Sequence, residues 1–195
     1  MAKLYFKYGA MNSGKSTILL QSAHNYEERG MRTVIMKPFL DTKGADSIVS
    51  RLGVTRKANY LLKGSDSVTE IINQDLNTNG QLHCIFIDEC QFLTVPQAEE
   101  LFWIAVEKDI PVICYGLRTD FLTNGFAASG RLLELAHSIE EMKTICRCGK
   151  KAMFNARKIN GEFVFRGEQV AIDNENNVEY ESLCPTCYLR EKNKK

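Results

Sequence analysis

Long apolar runs are missing from this sequence, and none approaches the ~18 residues of a membrane-crossing helix. The opening MAKLYFKYGAMNSGKST has no apolar leader core and no small-residue cleavage pattern. A cytoplasmic protein without membrane contact is therefore expected. Charge of one sign is also lacking. Twenty-five basic residues meet 24 acidic ones, for a formal net charge of +1. Such a balance argues against nucleic acid as a partner. Histidine is sparse: His24, His83 and His137 match no motif and read as surface or structural residues. What is present is ordinary core material, 44% hydrophobic against 25% charged residues. This composition excludes disordered, collagen-like and coiled-coil chains. The 195 residues suit one domain, or one domain with a small appendage.

Apolar runs and helical periods alternate along the chain. Lys3 to Tyr8, Thr33 to Met36, Cys84 to Asp88, Val112 to Leu117 and Ile139 to Ile145 read as strands. Ser16 to Arg29, Ser67 to Gln74, Pro96 to Lys108 and Gly125 to His137 read as helices. The alternation predicts an α/β fold with a mainly parallel sheet. Residues 39 to 66 show no clean period, so a functional or mobile loop is expected there. Composition changes after residue 145, which suggests domains at 1–145 and 146–195.

GAMNSGKS, Gly9 to Ser16, fits the P-loop pattern G-x-x-x-x-G-K-[ST], with Thr17 following. Gly9 and Gly14 allow a turn tight enough to aim backbone N–H groups at phosphate. The next helix adds its positive N-terminal end. Lys15 supplies a point charge for the β- and γ-phosphates, and Ser16 a hydroxyl for Mg²⁺. CIFIDECQF, 84 to 92, is an apolar strand ending in an acid, so Asp88 is the second expected Mg²⁺ group. Glu89 beside it suits a base acting on a hydroxyl or on water. An anionic phosphate acceptor needs no base, which points away from nucleoside-monophosphate kinases. The nucleotide contacts are accordingly expected along Gly9, Ala10, Met11, Asn12, Ser13, Gly14, Lys15, Ser16 and Thr17, and at Asp88, Glu89, Cys90 and Gln91. Cys90 is expected beside the site and open to thiol reagents.

The seven cysteines are an odd number, and disulfides are not expected. Cys84 and Cys114 read as buried strand thiols. Cys146 and Cys148 pair as C-x-C, and Cys184 and Cys187 as C-x-x-C. Two close pairs suit a structural zinc ion held by four thiolates, with no open coordination position; a redox pair or plain buried thiols are the alternatives. The intervening segment carries Phe154, Phe163, Phe165 and Tyr180. Its aromatics fit either the core of a small hairpin or contacts to a substrate.

Together GAMNSGKST, IDECQF, CYGLRTDF, CRCG and YESLCPTC closely resemble the type II thymidine kinases. The resemblance runs over nearly the whole chain. It implies a RecA-like P-loop domain, a small C-terminal zinc domain carrying a lasso loop, and a homotetramer. The implied reaction moves the γ-phosphoryl group of ATP, with Mg²⁺, to the 5′-hydroxyl of thymidine. Thymidine triphosphate is the implied feedback inhibitor. By the same resemblance Glu89 is the catalytic carboxylate, assisted by Lys15 and by Arg51 near the phosphates. Met11, Phe92, Leu117, Phe121 and Phe126 would line the base pocket, although by pattern alone they pass as core residues. Asn155 and Tyr180 match positions beside the base, and Val170, Ala171 and Ile172 mark the lasso neighbourhood within Gly161 to Ser182. The sequence departs from the family where Ile172-Asp173-Asn174 replaces the usual IGG. A RecA-like ATPase with a zinc-ribbon nucleic-acid module is the alternative reading.

Overall fold

Six parallel strands form the backbone of the molecule, and the chain order explains how. A computed structural model describes residues 1–39, 46–50, 53–169 and 177–194. The chain begins with β1 (Leu4–Tyr8), turns through the glycine-rich loop and enters α1 (Lys15–Glu27). Next come β2 (Thr33–Pro38), a hairpin of β3 (Ser47–Val49) and β4 (Thr55–Lys57), and β5 (Tyr60–Leu62). Helix α2 (Val68–Asn79) starts where the Ser67 side chain accepts the Glu70 N–H. Strand β6 (Cys84–Ile87) leads through a single 3-10 turn, Cys90–Phe92, into α3 (Val95–Glu107). Thr94 and Gln97 close a reciprocal capping box there, with Pro96 in the first turn. Then follow β7 (Val112–Gly116), α4 (Ala127–Leu135) and β8 (Ser138–Glu141). The remainder is β9 (Thr144–Ile145), β10 (Lys151–Ala152), β11 (Phe154–Ile159), β12 (Glu162–Val164), β13 (Val178–Leu183) and α5 (Pro185–Lys192).

The main sheet runs β5-β2-β6-β7-β1-β8, every pairing parallel. Its strands alternate faces, and both faces are covered. Phe6, Met36, Ile85 and Ile87 pack with Ile72, Leu101 and Leu132 of α2, α3 and α4. Ile35, Cys84, Phe86 and Tyr115 pack on the other face with Leu19 and Ala23 of α1 and with Ile48 of β3. A separate antiparallel sheet, β12-β11-β13, carries a third core with Phe154, Phe163, Phe165 and Tyr188. Phe163 and Phe165 stack at 6.2 Å, so they are hairpin core. Among the described residues no helix is long and apolar enough to cross a membrane.

Two expectations need correction. Residues 39 to 66 are not one loop, because they hold the β3–β4 hairpin and the edge strand β5. Strands of three residues are too short to show a period. The run Ile139 to Ile145 is not one strand either. Strand β8 pairs with β1, whereas β9 pairs with β10. The chain leaves the sheet at Met142, whose N–H donates to the Tyr8 carbonyl (2.7 Å).

Candidate active site

The glycine-rich loop lies at the carboxyl end of β1, on the sheet edge where α/β proteins place their ligands. Gly9 is needed for space: a Cβ there would stand 2.3 Å from the Met142 carbonyl oxygen. Gly14 is needed for its backbone, with φ +80° at the N-cap of α1. Later segments brace the loop from outside. The Met11 N–H donates to Asn155 Oδ1 (2.7 Å), Ser182 Oγ donates to the Met11 carbonyl, and Thr144 Oγ1 donates to the Asn12 carbonyl (3.1 Å). The loop is thus preorganised by residues more than 130 positions away.

Lys15 is buried, and its Nζ donates to the Ala10 carbonyl (3.0 Å), the Gly9 carbonyl (3.3 Å) and Ser13 Oγ (3.3 Å). Ser16 Oγ stands 3.4 Å from each carboxylate oxygen of Asp88. That spacing is long for O–H···O and suits two groups able to share a cation. Burial pushes the Asp88 carboxyl up to about 7, and the neighbouring charge of Glu89 adds to it. Lys37 and Lys15 pull the other way. Glu89 is half-buried at φ 51°, a left-handed conformation that costs ~1–2 kcal/mol in a residue with a Cβ. Strain of this kind gathers at functional sites. The Glu89 carboxylate accepts from Gln91 Nε2 (2.6 Å), and Gln91 Oε1 accepts the Leu117 N–H (2.9 Å). One amide therefore fixes both the acid and the loop after β7.

Lys15, Ser16 and Glu89 line a cleft of about 460 Å³, whose walls also include Met11, Thr17 and Leu117. Phe92 and Phe126 meet edge to face, 5.6 Å apart. Phe121 is buried under the guanidinium of Arg157, and Tyr180 flanks that guanidinium. Asn155 is buried with its carbonyl oxygen committed to Met11. Of the expected base-pocket residues, Met11 and Leu117 line this cleft, and Asn155 reaches the P-loop at Met11; Phe92, Phe121, Phe126 and Tyr180 are not among its walls.

The four expected zinc cysteines also converge. Their sulfur atoms lie within 4.8 Å of one another, and Cys148 Sγ is 3.6 Å from Cys184 Sγ. Four thiolates around zinc sit about 3.8 Å apart at a Zn–S length of ~2.3 Å, so this donor set fits. Burial pushes the Cys146 thiol up, but the N–H groups of Cys148 and Cys184 outweigh it and hold the thiol at about 7.

A family model described as thymidine kinase matches residues 2–188. A Yersinia pestis protein named thymidine kinase is 45% identical, over 96% of this chain and 95% of its own. The thymidine kinase of Shewanella oneidensis is 46% identical, over 94% and 95%. That of Rhodopirellula baltica is 44% identical, over 94% and 86%. The chain belongs to the thymidine kinase family. Among solved structures, an ATPase domain matches with a TM-score of 0.52 at 15% identity, covering 91% of this chain and 80% of its own. This second likeness shows the RecA-like fold.

Within this family member, Arg51, Val170, Ala171 and Ile172 lie outside the described residues. Cys90 requires a correction. It is fully buried in the core, not open to reagents. Its sulfur would stand 2.6 Å from a Cβ at Gly116, so the missing side chain of Gly116 gives it room. Burial, then contact with the Cys114 thiol, pushes it well above the ordinary thiol range. Two residues escaped the sequence reading. Lys37, at the end of β2, donates to the Ser47 carbonyl (3.3 Å) and offsets the charge on Asp88. Its place at a strand's carboxyl end was the available signal. Arg157 had no such signal, because its aromatic neighbours come from distant segments.

Proposed function

We propose that the protein phosphorylates the 5′-hydroxyl of thymidine with ATP, giving thymidine monophosphate and ADP. Membership in the thymidine kinase family carries the reaction, and the presence of Glu89, Lys15 and Ser16 in the lining of one cleft supports the mechanism. The α1 N-terminus and the loop N–H groups receive the phosphates, and Lys15 turns from the loop carbonyls towards them. Ser16 and Asp88 would hold Mg²⁺, which neutralises charge developing on the phosphates. Glu89 takes the proton of the 5′-hydroxyl as its oxygen bonds to the γ-phosphorus and the bond to ADP breaks. Arg51 is the proposed further cation at the phosphates. Met11, Phe92, Leu117, Phe121 and Phe126 enclose the base, with Asn155, Tyr180 and the 170–172 neighbourhood closing it.

The proposed domains are 1–145 and 146–195, with the β9–β10 pairing tying Thr144 and Ile145 to the second; a structural zinc ion on Cys146, Cys148, Cys184 and Cys187 would hold that second part. Inhibition by thymidine triphosphate, a homotetramer and a cytoplasmic location complete the reading. A coupled assay with ATP, Mg²⁺ and a panel of deoxynucleosides tests it. Thymidine-dependent ADP release with the monophosphate as product is expected. ATP turnover on single-stranded DNA alone would overturn the reading in favour of the nucleic-acid ATPase. Metal analysis of the purified protein should give about one zinc per chain.

A further inference from the structure

Arg157, in the middle of β11, is only 3% exposed. A buried guanidinium usually has a carboxylate partner, because a desolvated charge is costly. Among the described residues the hydrogen bonds of Arg157 go instead to a phenol and a carbonyl: Nε donates to Tyr180 Oη (3.1 Å), and Nη2 to the Gln169 carbonyl (3.2 Å). The rest of its surroundings are aromatic. The guanidinium carbon lies 3.6 Å from the centre of the Phe121 ring and 5.6 Å from that of Tyr180. Both distances are within cation–π range, and the first is close contact.

The two rings come from different parts of the fold. Phe121 sits on the turn after β7, where the Asp120 carboxylate accepts the N–H groups of Leu122 and Asn124 (both 2.8 Å). Tyr180 belongs to β13, in the antiparallel sheet. A second bridge runs beside the first: Gln169 Nε2 donates to Asp120 (3.3 Å), while the Gln169 carbonyl is held by Arg157. The Phe121 carbonyl also accepts from Tyr188 Oη (2.7 Å). Arg157 thus touches Phe121, Tyr180 and Gln169 together. An apolar residue would fill the same volume without a charge to desolvate, but it could not grip the tyrosine hydroxyl and the carbonyl at once.

We propose that Arg157 is a positioning residue for the nucleoside: its planar guanidinium locks Phe121 and Tyr180 into one stack, so that the wall receiving the base is formed before the base arrives. The role rests on the thymidine kinase reading above, and it concerns binding rather than the transfer step. Preorganisation lowers the ordering cost of binding, so its loss appears in KM and leaves the transfer rate almost intact.

The test is steady-state kinetics on the wild type, Arg157→Met, Arg157→Lys, Tyr180→Phe and the Arg157→Met/Tyr180→Phe double variant, with melting curves for each. Arg157→Met should raise KM for thymidine about tenfold, with kcat within about twofold and KM for ATP unchanged. Arg157→Lys keeps the charge without the plane and the fork, and should raise thymidine KM by about fivefold. Tyr180→Phe should raise it about threefold alone and add nothing in the Arg157→Met background. If Arg157→Met does not fold, Arg157→Lys and Tyr180→Phe carry the same readout. A lower melting temperature with thymidine KM unchanged would make Arg157 a structural strut and overturn the proposal. So would additive effects in the double variant. A wild type that turns over ATP without using thymidine would overturn the functional reading and this role together. Thymidine turnover with unaltered variant kinetics would overturn this role alone.

Discussion

Asp75 and Asp88 are nearly equally buried, at 4% and 3% exposure, yet they are held in opposite ways. Asp75, on α2, is surrounded by donors: Arg32 Nη1 at 2.6 Å, Tyr60 Oη at 2.9 Å and Asn79 Nδ2 at 3.0 Å. Burial alone would raise its carboxyl, but the Arg32, Tyr60 and Asn79 bonds outweigh it and hold the group below its ordinary range. Arg32 precedes β2, so the Arg32–Asp75 pair lies at the amino edge of the sheet; Tyr60, level with Met36 in the next strand, reaches it through its hydroxyl. Asp88 follows β6 at the opposite edge. Its neighbours are the long Ser16 contact, a second acid, Glu89, and the charges of Lys37 and Lys15, which offset burial only in part. One edge has matched its buried charge and is finished. The other leaves negative charge under-compensated, in the place where Mg²⁺ and phosphate are proposed to bind. The difference separates a carboxylate matched by its partners from one whose partners leave its charge only partly offset.

The largest test of that separation removes the acid from each edge and reads activity. Glu89→Gln should lower turnover by ~10²–10⁴-fold while ATP affinity stays within a few-fold, because the amide keeps the shape and loses the base. Asp75→Asn should leave turnover per folded molecule unchanged. Wild-type turnover in Glu89→Gln would remove Glu89 from the chemistry, and a matching loss in Asp75→Asn would erase the distinction between the edges.

The next test reads stability. Asp75→Ala strips Arg32 of its carboxylate and leaves the Tyr60 hydroxyl without its acceptor, for a loss of about 3 kcal/mol in urea unfolding. A loss below about 1 kcal/mol would place this pair with ordinary surface ion pairs.

Much of the working edge was legible in the sequence, because phosphate and metal chemistry demand fixed residue types at fixed spacing. Lys15, Ser16, Asp88 and the four cysteines could be named before any fold was known, and the structure brings Ser16 to Asp88 and the cysteines to one another. The finished edge was not legible. Asp75 lies just past the helix expected over Ser67 to Gln74, in a last turn that the pattern does not mark, and Arg32 and Tyr60 meet it only through tertiary folding. Cys90 was misjudged for a related reason. Adjacency to Glu89 places its backbone, but the space opened by Gly116 decides where its sulfur points. Strand β5 was missed because three residues carry no period, although it builds one edge of the main sheet.

The smallest expected effect is also the sharpest, because its sign is unusual. The folded Asp88 carboxyl titrates at about 7, above the ordinary value of 3.8. A raised carboxyl contributes stability that is complete below the unfolded value, near pH 4, and lost as pH rises through 7. At pH 8 and without Mg²⁺, the folded protein therefore carries a buried charge that it would hold more easily protonated. Asp88→Asn removes that charge but keeps a polar group to bury, so the gain should be about 1–2 kcal/mol rather than the whole of the shift. Melting temperatures in Mg²⁺-free buffer should be higher for Asp88→Asn than for the wild type at pH 8, and nearly equal at pH 5. Turnover should be lost in the same variant. Asp75 runs the other way. Its lowered carboxyl contributes stability above about pH 4 and loses it on acidification, so Asp75→Asn destabilises at pH 8 and converges with the wild type only in acid. Two buried aspartates in one domain, substituted identically, should shift stability in opposite directions at the same pH. The same sign for both at pH 8 would show that burial alone, and not the partners at each edge, governs these carboxylates.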